Sequence, residues 1–278
     1  MSGTLDNLTL ATPAGRAVAG LVVAGAIAAA ARRARTLSTG GAAAAVVVGT
    51  ATLAAGWSWG ALLIAFFVTS TVLSRFRSDW KERRTATVVA KGGERDAVQV
   101  LANGALFAAA GVASTLVPWP GWTALAAGAL GTAASDTWAT EVGTLAHAPP
   151  RSVLSGRPVP PGTSGGVTLL GTLAAVAGAL FVGALAYAVG WPPRAALAGA
   201  IGGFVGAMAD SVLGATAQAR RWCPRCDVAT ERTTHGCGAA TRPAGGARWL
   251  DNDGVNLLSG AIGALVALLL GSPPGAVR

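Results

Sequence analysis

Charged side chains are scarce in this sequence. Asp, Glu, Lys and Arg make up 12% of the 278 residues, and apolar residues make up 52%, whereas a soluble domain carries about 25% charged residues. The mean hydropathy is +0.53. This shortage of charge excludes an ordinary soluble domain and indicates an integral membrane protein. Alanine, glycine and valine dominate the apolar residues, which suits helices that pack closely in lipid.

Basic residues are absent ahead of the first apolar stretch, residues 14–31. A cleaved signal peptide carries its positive charges before the apolar run, but here Arg32, Arg33 and Arg35 follow it. We therefore expect this stretch to be a retained helix.

The sequence also lacks a basic patch on a folded module. Its 21 Lys and Arg residues are divided among short loops, which argues against nucleic acid as a partner. The net charge of +9 is instead explained by the positive-inside rule and by attraction to anionic lipid headgroups. The expected partner is the lipid bilayer.

Apolar stretches near the length that crosses a bilayer recur along the whole chain. A crossing takes about 20 mostly apolar residues. We therefore predict an all-α, polytopic membrane helix bundle with about eight transmembrane helices. Their approximate limits are 14–31, 41–56, 58–74, 97–117, 119–135, 166–189, 195–217 and 254–271.

Basic residues are distributed unevenly between the two sets of loops. All except Arg16, Arg194 and Arg278 fall in the loops after the first, third, fifth and seventh stretches. The positive-inside rule then predicts that both termini lie outside and that these longer loops are cytoplasmic. All acidic residues except Asp6 lie in the same loops or at the helix ends beside them. We therefore expect an active site on the cytoplasmic face of the cell membrane.

The first motif follows the third apolar stretch. Lys91, Arg95, Gln99 and Asn103 recur at every fourth residue. If a helix begins near Gly92 or Gly93, the last three share one face. Polar groups at that depth point into a protein-lined cavity rather than into lipid. We predict that Lys91 and Arg95 are catalytic, and that Gln99 and Asn103 bind nucleotide or phosphate.

Two carboxylates end the fifth apolar stretch, within SDTWATEVG. Asp136 and Glu141 would be costly there unless they meet a cation or a metal ion. Mg²⁺ in proteins takes one or two carboxylates together with substrate phosphate oxygens. The pair therefore predicts a catalytic magnesium site.

A glycine-rich loop follows, within RPVPPGTSGG. We expect it to open directly onto the next helix, where free backbone N–H groups bind anions. An ordinary helix start with a Thr or Ser N-cap is the alternative interpretation. The predicted phosphate-binding residues are Arg157, Gly162, Thr163, Ser164, Gly165 and Gly166.

Further oxygen-bearing side chains occur at the ends of the last two apolar stretches. Asp210 interrupts an apolar run, and Asp251, Asp253 and Asn256 precede the final stretch. Capping of the last helix explains one of Asp251 and Asp253. We predict that Asp210, Asp253 and Asn256 join the magnesium ligands.

All three cysteines lie in the loop between those stretches. Cys223 and Cys226 form a C-x-x-C pair, and His235 and Cys237 follow as H-x-C. In a cytoplasmic loop the thiols stay reduced, and this spacing can close a tetrahedral Zn²⁺ site. A redox C-x-x-C pair and unliganded thiols are the alternatives. Four protein ligands would make the zinc structural rather than catalytic.

Together these stretches resemble an integral membrane family that includes the plant phytyl-phosphate kinase and the animal transmembrane protein nineteen. The likeness runs from about residue 75 to residue 265 through KGGERDAVQVLANG, SDTWATEVG, RPVPPGTSGGVTLLG, DSVLGATAQ, the Cys–His knuckle and WLDNDGVN. Residues 1–74 carry no matching motif, so we divide the chain into these N-terminal helices and a catalytic membrane domain, 75–278, with the knuckle at 222–240. A looser likeness extends to dolichol kinase, phytol kinase and CDP-diacylglycerol synthase, which tend to have a lysine-serine pair where this chain has Gly162, Thr163 and Ser164.

The resemblance implies transfer of the γ-phosphate of CTP to a prenyl monophosphate, which gives a prenyl diphosphate and CDP. Mg²⁺ and CTP are then the expected cofactor and phosphate donor. A cytidylyltransferase that makes a CDP-lipid would use the same parts. A transporter is the non-enzymatic alternative, although transporters hold their polar groups near the membrane midplane.

Overall fold

The computed structural model describes residues 10–90 and 92–272, which form nine helices and five short strands. The helices are α1 Pro13–Arg33, α2 Thr39–Ala55, α3 Trp57–Arg75, α4 Ser78–Thr85, α5 Ala97–Leu116, α6 Gly121–Gly143, α7 Leu169–Ala188, α8 Pro193–Thr216 and α9 Asn252–Gly271. The strands are β1 Arg151–Ser152, β2 Gly166–Val167, β3 Arg220–Cys223, β4 Val228–Thr230 and β5 Arg242–Gly245. Every predicted apolar stretch forms a helix, and α4 is an additional short charged one.

Six helices are long and apolar enough to cross a membrane, namely α1, α3, α5, α7, α8 and α9. Helix α2 is apolar but has only 17 residues. Helix α6 is not among the six because its threonines, Asp136 and Glu141 lower its hydropathy. The prediction of a polytopic membrane helix bundle is confirmed, and the orientation of its termini and loops stays a prediction.

Helix α6 packs against α8 and α9 through glycines. A Cβ on Gly128 would lie 2.4 Å from the carbonyl oxygen of Gly263 in α9. A Cβ on Gly131 would lie 2.9 Å from the carbonyl oxygen of Gly199 in α8. Real Cβ atoms do not come so close to a neighbouring backbone, so glycine is required where these helices touch.

The N-terminal helices pack on α5 as well as on the α6–α9 group. Gly49 of α2 lies against Ala24 of α1, and Gly104 of α5 lies against Val48 of α2. At the end of the bundle away from the predicted active-site loops, Trp59 packs on Phe107 and Trp191, with ring centroids 5.3 and 4.8 Å away. These contacts join the N-terminal helices to the rest of the bundle.

Two small antiparallel sheets interrupt the helical architecture. Strand β1 pairs with β2, and the second sheet has the order β4-β3-β5. The all-α prediction omitted them because strands of two to four residues are too short to show an alternating pattern. Both sheets lie in the loops predicted to carry the chemistry.

Candidate active site

Asp136 and Asp210 face one another at the same end of two neighbouring helices. Helices α6 and α8 run in the same direction, and Thr132 packs on Gly206, where a Cβ would lie 2.1 Å from the threonine Oγ1. Asp136 lies about one helical turn after Thr132, and Asp210 lies about one turn after Gly206. The two carboxylates interact electrostatically. The structure therefore brings together two acids that are far apart in the sequence.

Helix α9 supplies the third side of this site. The Ser259 hydroxyl donates to the Asp210 carboxylate (2.9 Å). The Asn256 amide, turned so that its nitrogen faces its acceptors, donates to the same carboxylate (3.0 Å) and to the Asn252 carbonyl oxygen (3.2 Å). Asp253 lies three residues before Asn256, hence on the same helix face, and is only 3% exposed.

The donor set of this site fits a divalent cation. No basic side chain in residues 10–90 and 92–272 forms an ion pair with either aspartate of the facing pair. Adjacent buried carboxylates need a cation or a shared proton, and carboxylate and amide oxygens are the ligands that Mg²⁺ prefers. The predicted ligands that lie together here are Asp136, Asp210, Asp253 and Asn256.

Glu141 lies in a different polar network. Its carboxylate accepts a hydrogen bond from Ser74 Oγ (2.5 Å) and forms an ion pair with Lys81. Lys81 is only 6% exposed and also donates to the carbonyl oxygens of Leu73 (2.7 Å) and Ser74 (2.9 Å). Arg95 donates to Ser74 Oγ (3.0 Å) and interacts electrostatically with Glu141. Glu141 therefore pairs with Lys81 and shares the Ser74 hydroxyl with Arg95, apart from the aspartate pair.

Lys81 was not among the predicted site residues. It belongs to a run of charged residues, and such a run is ordinarily solvated. No local pattern marks this lysine as the buried one. Its role depends on α4 folding back beneath the end of α6.

The helix that carries Gln99 and Asn103 begins later than predicted. Asp96 caps α5 in a capping box: its carboxylate accepts from the Gln99 N–H (2.9 Å), and the Gln99 side chain accepts from the Asp96 N–H (3.0 Å). The expected start near Gly92 or Gly93 is therefore wrong, and Arg95 precedes the helix. Arg95, Gln99 and Asn103 nevertheless line one cavity.

The glycine-rich loop does not open directly onto a helix, contrary to expectation. Gly166 and Val167 form strand β2, which pairs with β1. The next helix begins at Leu169, and its N-cap is Thr168, whose side chain accepts from the Gly171 N–H (3.0 Å). The sequence was misleading because Thr163 and Ser164 are as suitable for N-capping as Thr168.

The same loop packs against the end of α8 that carries Asp210. Gly165 has φ +74°, and a Cβ there would lie 2.6 Å from the Ser211 carbonyl oxygen. The Thr163 and Gly166 N–H groups bond within the loop, to Pro160 (3.1 Å) and Thr163 (2.9 Å). The N–H groups of Ser164 and Gly165 have no acceptor in the part of the chain that the structure describes, and adjacent free N–H groups of this kind can bind an anion.

Glu231, at the end of the knuckle's β4 strand, is a site residue that the sequence analysis missed. Its carboxylate accepts hydrogen bonds from Ser164 Oγ and from Gln218 Nε2 (2.9 Å). Its own N–H donates to the Val88 carbonyl oxygen (2.9 Å). Burial raises the pKa of Glu231, and the hydrogen bonds from Ser164 and Gln218 oppose that rise. Glu231 thus ties the glycine-rich loop to the knuckle.

The predicted phosphate ligand Arg157 is not brought into this arrangement. Arg157 is exposed in the β1–β2 hairpin, where its carbonyl oxygen accepts from the Ser152 N–H (2.9 Å). Lys91 lies outside the described residues.

The Cys–His knuckle has the geometry of a metal site. One ligand atom from each of Cys223, Cys226, His235 and Cys237 lies within 4.8 Å of the others. The sulfurs of Cys223 and Cys237 are 3.6 Å apart, near the roughly 3.8 Å expected for two thiolates on a tetrahedral zinc with bonds of about 2.3 Å. Hydrogen bonding, first of all from His235, lowers the pKa of Cys237 to about 6. Thiolate formation at this cysteine favours metal binding.

Comparison with known proteins places the chain among membrane proteins. The family described as integral membrane protein DUF92 matches residues 22–264. Protein PGR of Arabidopsis thaliana is 33% identical over 281 residues, which is 89% of this chain and 93% of that protein. The chloroplastic protein VTE6 of the same plant is 27% identical over 84% of this chain and 65% of its own length. An uncharacterised membrane protein of Methanocaldococcus jannaschii is 31% identical over 58% of this chain and 65% of its own. No solved structure matches.

Proposed function

This chain belongs to the integral membrane protein family DUF92, and from that premise we propose that it is a CTP-dependent prenyl-phosphate kinase. The reaction breaks the bond between the γ-phosphorus of CTP and its bridging oxygen and forms a bond from an acceptor phosphate oxygen to that phosphorus. The products are a prenyl diphosphate and CDP. The nucleotide and the acceptor class come from the likeness of the motifs to the family of the plant phytyl-phosphate kinase. The facing pair Asp136 and Asp210, beside a glycine-rich loop, is the observation that carries the proposal.

The metal ion in this proposal is magnesium. Asp136, Asp210, Asp253 and Asn256 would hold Mg²⁺, which would neutralise and orient the nucleotide phosphates. The free N–H groups of the glycine-rich loop lie on the same side of α8 as Asp210 and can bind phosphate oxygens. Phosphoryl transfer depends mainly on positioning and electrostatic stabilisation, and carboxylates beside backbone donors supply both.

The acceptor requires no strong general base in this reaction. A phosphate monoester is already largely ionised at neutral pH, since its second pKa is about 6. Its attacking oxygen therefore needs orientation by cations. We propose Arg95 and Lys91 for that role, and Arg95 lines a cavity together with Gln99 and Asn103. This agrees with a chain that has only two histidines.

We further propose that the knuckle holds a structural Zn²⁺. Four protein ligands fill a tetrahedral shell and leave no position for substrate. The metal would stiffen the small β4-β3-β5 sheet, from which Glu231 reaches Ser164.

The proposed location is the cell membrane, with this site on the cytoplasmic side. The support is the distribution of basic residues between alternate loops. The chloroplastic relative is a plant protein in a different compartment, and the charge rule applies to each membrane separately.

Reconstituted full-length protein tests the reaction directly. It is incubated with Mg²⁺, each γ-labelled nucleoside triphosphate in turn, and a panel of prenyl monophosphates. We expect label in a prenyl diphosphate, with CTP preferred. Asp136→Asn and Asp210→Asn should each lower the rate by at least about 100-fold without unfolding the protein. Asp79→Asn is the matched control, because Asp79 is exposed in α4, and it should retain the wild-type rate.

The other outcomes separate the competing functions. Release of pyrophosphate together with a CDP-lipid would replace the kinase by a cytidylyltransferase. An absence of both products, with movement of prenyl phosphate across the vesicle membrane, would identify a transporter. Near-normal turnover in Asp136→Asn would remove Asp136 from the metal site.

A further inference from the structure

An apolar cavity opens between the N-terminal helices and α5. Its walls come from α1, α2, α3 and α5. The apolar side chains that line it include Val23, Ile27, Val48, Leu53, Ile64 and Phe67. Of these helices, α1, α2 and α3 carry none of the motifs that resemble the kinase family, so the site described above assigns them no part in the function.

One end of this cavity is polar. Arg95, Gln99, Asn103 and Thr137 line it there. Thr137 directly follows Asp136 in α6, so the polar end of the cavity reaches the segment of α6 that carries this aspartate. The Arg95 guanidinium is held in place by hydrogen bonds to Ser74 Oγ (3.0 Å) and to the Ser70 carbonyl oxygen (3.3 Å).

We propose that this cavity binds the hydrocarbon chain of the acceptor, with the acceptor phosphate at Arg95, Gln99 and Asn103. The N-terminal helices α1, α2 and α3 then form the part of the protein that selects the length of the chain. This inference rests on the proposed function, because it names the place where the acceptor of that reaction is held.

The chemistry of the cavity favours an occupant with one anionic end and one long apolar end. A hydrocarbon without a headgroup would place apolar atoms against the polar side chains at that end of the cavity, which is unfavourable. A nucleotide would place its sugar and base against the aliphatic walls, where their polar groups find no partners. A phosphate ester with an isoprenoid tail satisfies both ends. Its phosphate would also lie beside the carboxylates proposed to hold the nucleotide's metal.

Narrowing the cavity tests this assignment. Ile27→Phe on α1 and Ile64→Phe on α3 add bulk to side chains that line it. We expect each to lower kcat/KM for geranylgeranyl monophosphate by about tenfold or more while leaving that for geranyl monophosphate within about threefold. Val22→Phe and Val68→Phe are the controls on the same helices, because Val22 and Val68 are 67% and 49% exposed on the outer surface. The controls should leave the selectivity unchanged.

A second measurement does not depend on turnover. A prenyl monophosphate that carries a photoreactive diazirine at the end of its tail is added to the full-length protein in lipid nanodiscs, irradiated and mapped by mass spectrometry. We expect labelled peptides from α1, α2, α3 or α5, competition by geranylgeranyl monophosphate, and weaker labelling in Arg95→Gln than in Arg95→Lys.

The two measurements distinguish failure of this inference from failure of the proposed function. If the N-terminal helices are labelled, geranylgeranyl monophosphate competes with that labelling and no kinase activity is found, the lipid-phosphate site would stand and the proposed kinase function would be overturned. The cavity assignment would be overturned, and the kinase function kept, by either of two results. In the first, the protein is an active kinase but both narrowed variants have unchanged chain-length selectivity. In the second, it is an active kinase but the label is found elsewhere. Labelling that geranylgeranyl monophosphate does not reduce would show a surface that contacts only bulk lipid, and this result would also overturn the cavity assignment.

Discussion

The acidic side chains at the ends of α6 and α8 are held in two separate groups. The first contains Asp136 and Asp210, and Asp210 accepts hydrogen bonds from two neutral donors on α9, Ser259 and Asn256. The second contains Glu141, which is neutralised by Lys81 and lies near Arg95. This difference decides their chemistry, because a carboxylate already paired with a lysine is a poor metal ligand, whereas two unneutralised carboxylates attract a cation.

Lys81→Met should destabilise the protein through the second group. The substitution leaves Glu141 without its cation at a largely buried position, so we expect a loss of about 3 kcal/mol in the free energy of unfolding. Arg32→Met is the matched control, since the side chains of Arg32 and Glu94 are 45% and 33% exposed, and it should cost less than about 1 kcal/mol. Equilibrium unfolding in detergent measures both.

The double variant Lys81→Met with Glu141→Gln completes this test. It removes both charges and should recover most of the lost stability. Equal stability losses in the single variants Lys81→Met and Arg32→Met would contradict a buried ion pair at Lys81.

At the scale of elements, the site depends on glycine contacts between helices. Helix α6 approaches α8 and α9 where glycines leave no side chain between the backbones. Each aspartate of the facing pair lies beyond such a contact, so the spacing of the helices sets the spacing of the carboxylates.

Gly203→Ala should therefore impair the site at Asp136 and Asp210, although Gly203 is not one of its residues. A Cβ at Gly203 would lie 2.7 Å from the Gly131 carbonyl carbon, which forces α8 away from α6. We expect a loss of about 2 kcal/mol in the free energy of unfolding and weaker binding of the metal ion. Gly25→Ala is the control, because no atom lies within 4 Å of its added Cβ, and it should be neutral or stabilising by up to about 1 kcal/mol.

Thermal unfolding and Mg²⁺ titration of the two variants provide the measurement. Unchanged Mg²⁺ affinity in a folded Gly203→Ala protein would show that the contact between α6 and α8 does not set the carboxylate spacing.

The knuckle is a second element, and we propose that its structure depends on a bound zinc ion. Purified protein should contain about one zinc per chain, and Cys223→Ser should lose it. Asp227→Asn is the control inside the same hairpin, since Asp227 is exposed, has φ +58° and is not a ligand. Elemental analysis measures the metal, and loss of zinc in the control as well as in Cys223→Ser would show a folding defect instead of a lost ligand.

Removal of zinc should also loosen the glycine-rich loop, because Glu231 connects it to the knuckle. Hydrogen exchange in residues 160–166 should become faster after chelation. Unchanged exchange there would mean that the loop is held independently of the knuckle.

For the whole molecule, the distribution of basic residues predicts the orientation of the protein in the membrane. In intact cells, Pro118→Cys, between α5 and α6, should react with a membrane-impermeant maleimide. Ser155→Cys, in the β1–β2 hairpin, should react only after the cells are permeabilised. Both positions are exposed, and the unmodified chain gives the background from its native cysteines. The reverse pattern would place the aspartate pair on the outer face.

The positions of the helices and the residue types of the site follow from local features of the chain. Runs of apolar residues are local properties, so the predicted stretches appear as helices, and polar residues at their ends indicate a functional site because lipid penalises them. The spacing of Cys223, Cys226, His235 and Cys237 is equally local, and the structure brings these four residues together.

Which of these residues come into contact depends on how the helices and loops pack in three dimensions. Asp136 meets Asp210, Glu141 meets Lys81 and Glu231 meets Ser164, and each pair joins segments that are far apart in the chain. The cavity at Arg95 likewise requires α1, α2 and α3 to pack on α5. The local periodicity of the sequence does not predict such contacts. They depend on how closely glycine-lined helices approach each other and on the direction in which each loop returns to the bundle.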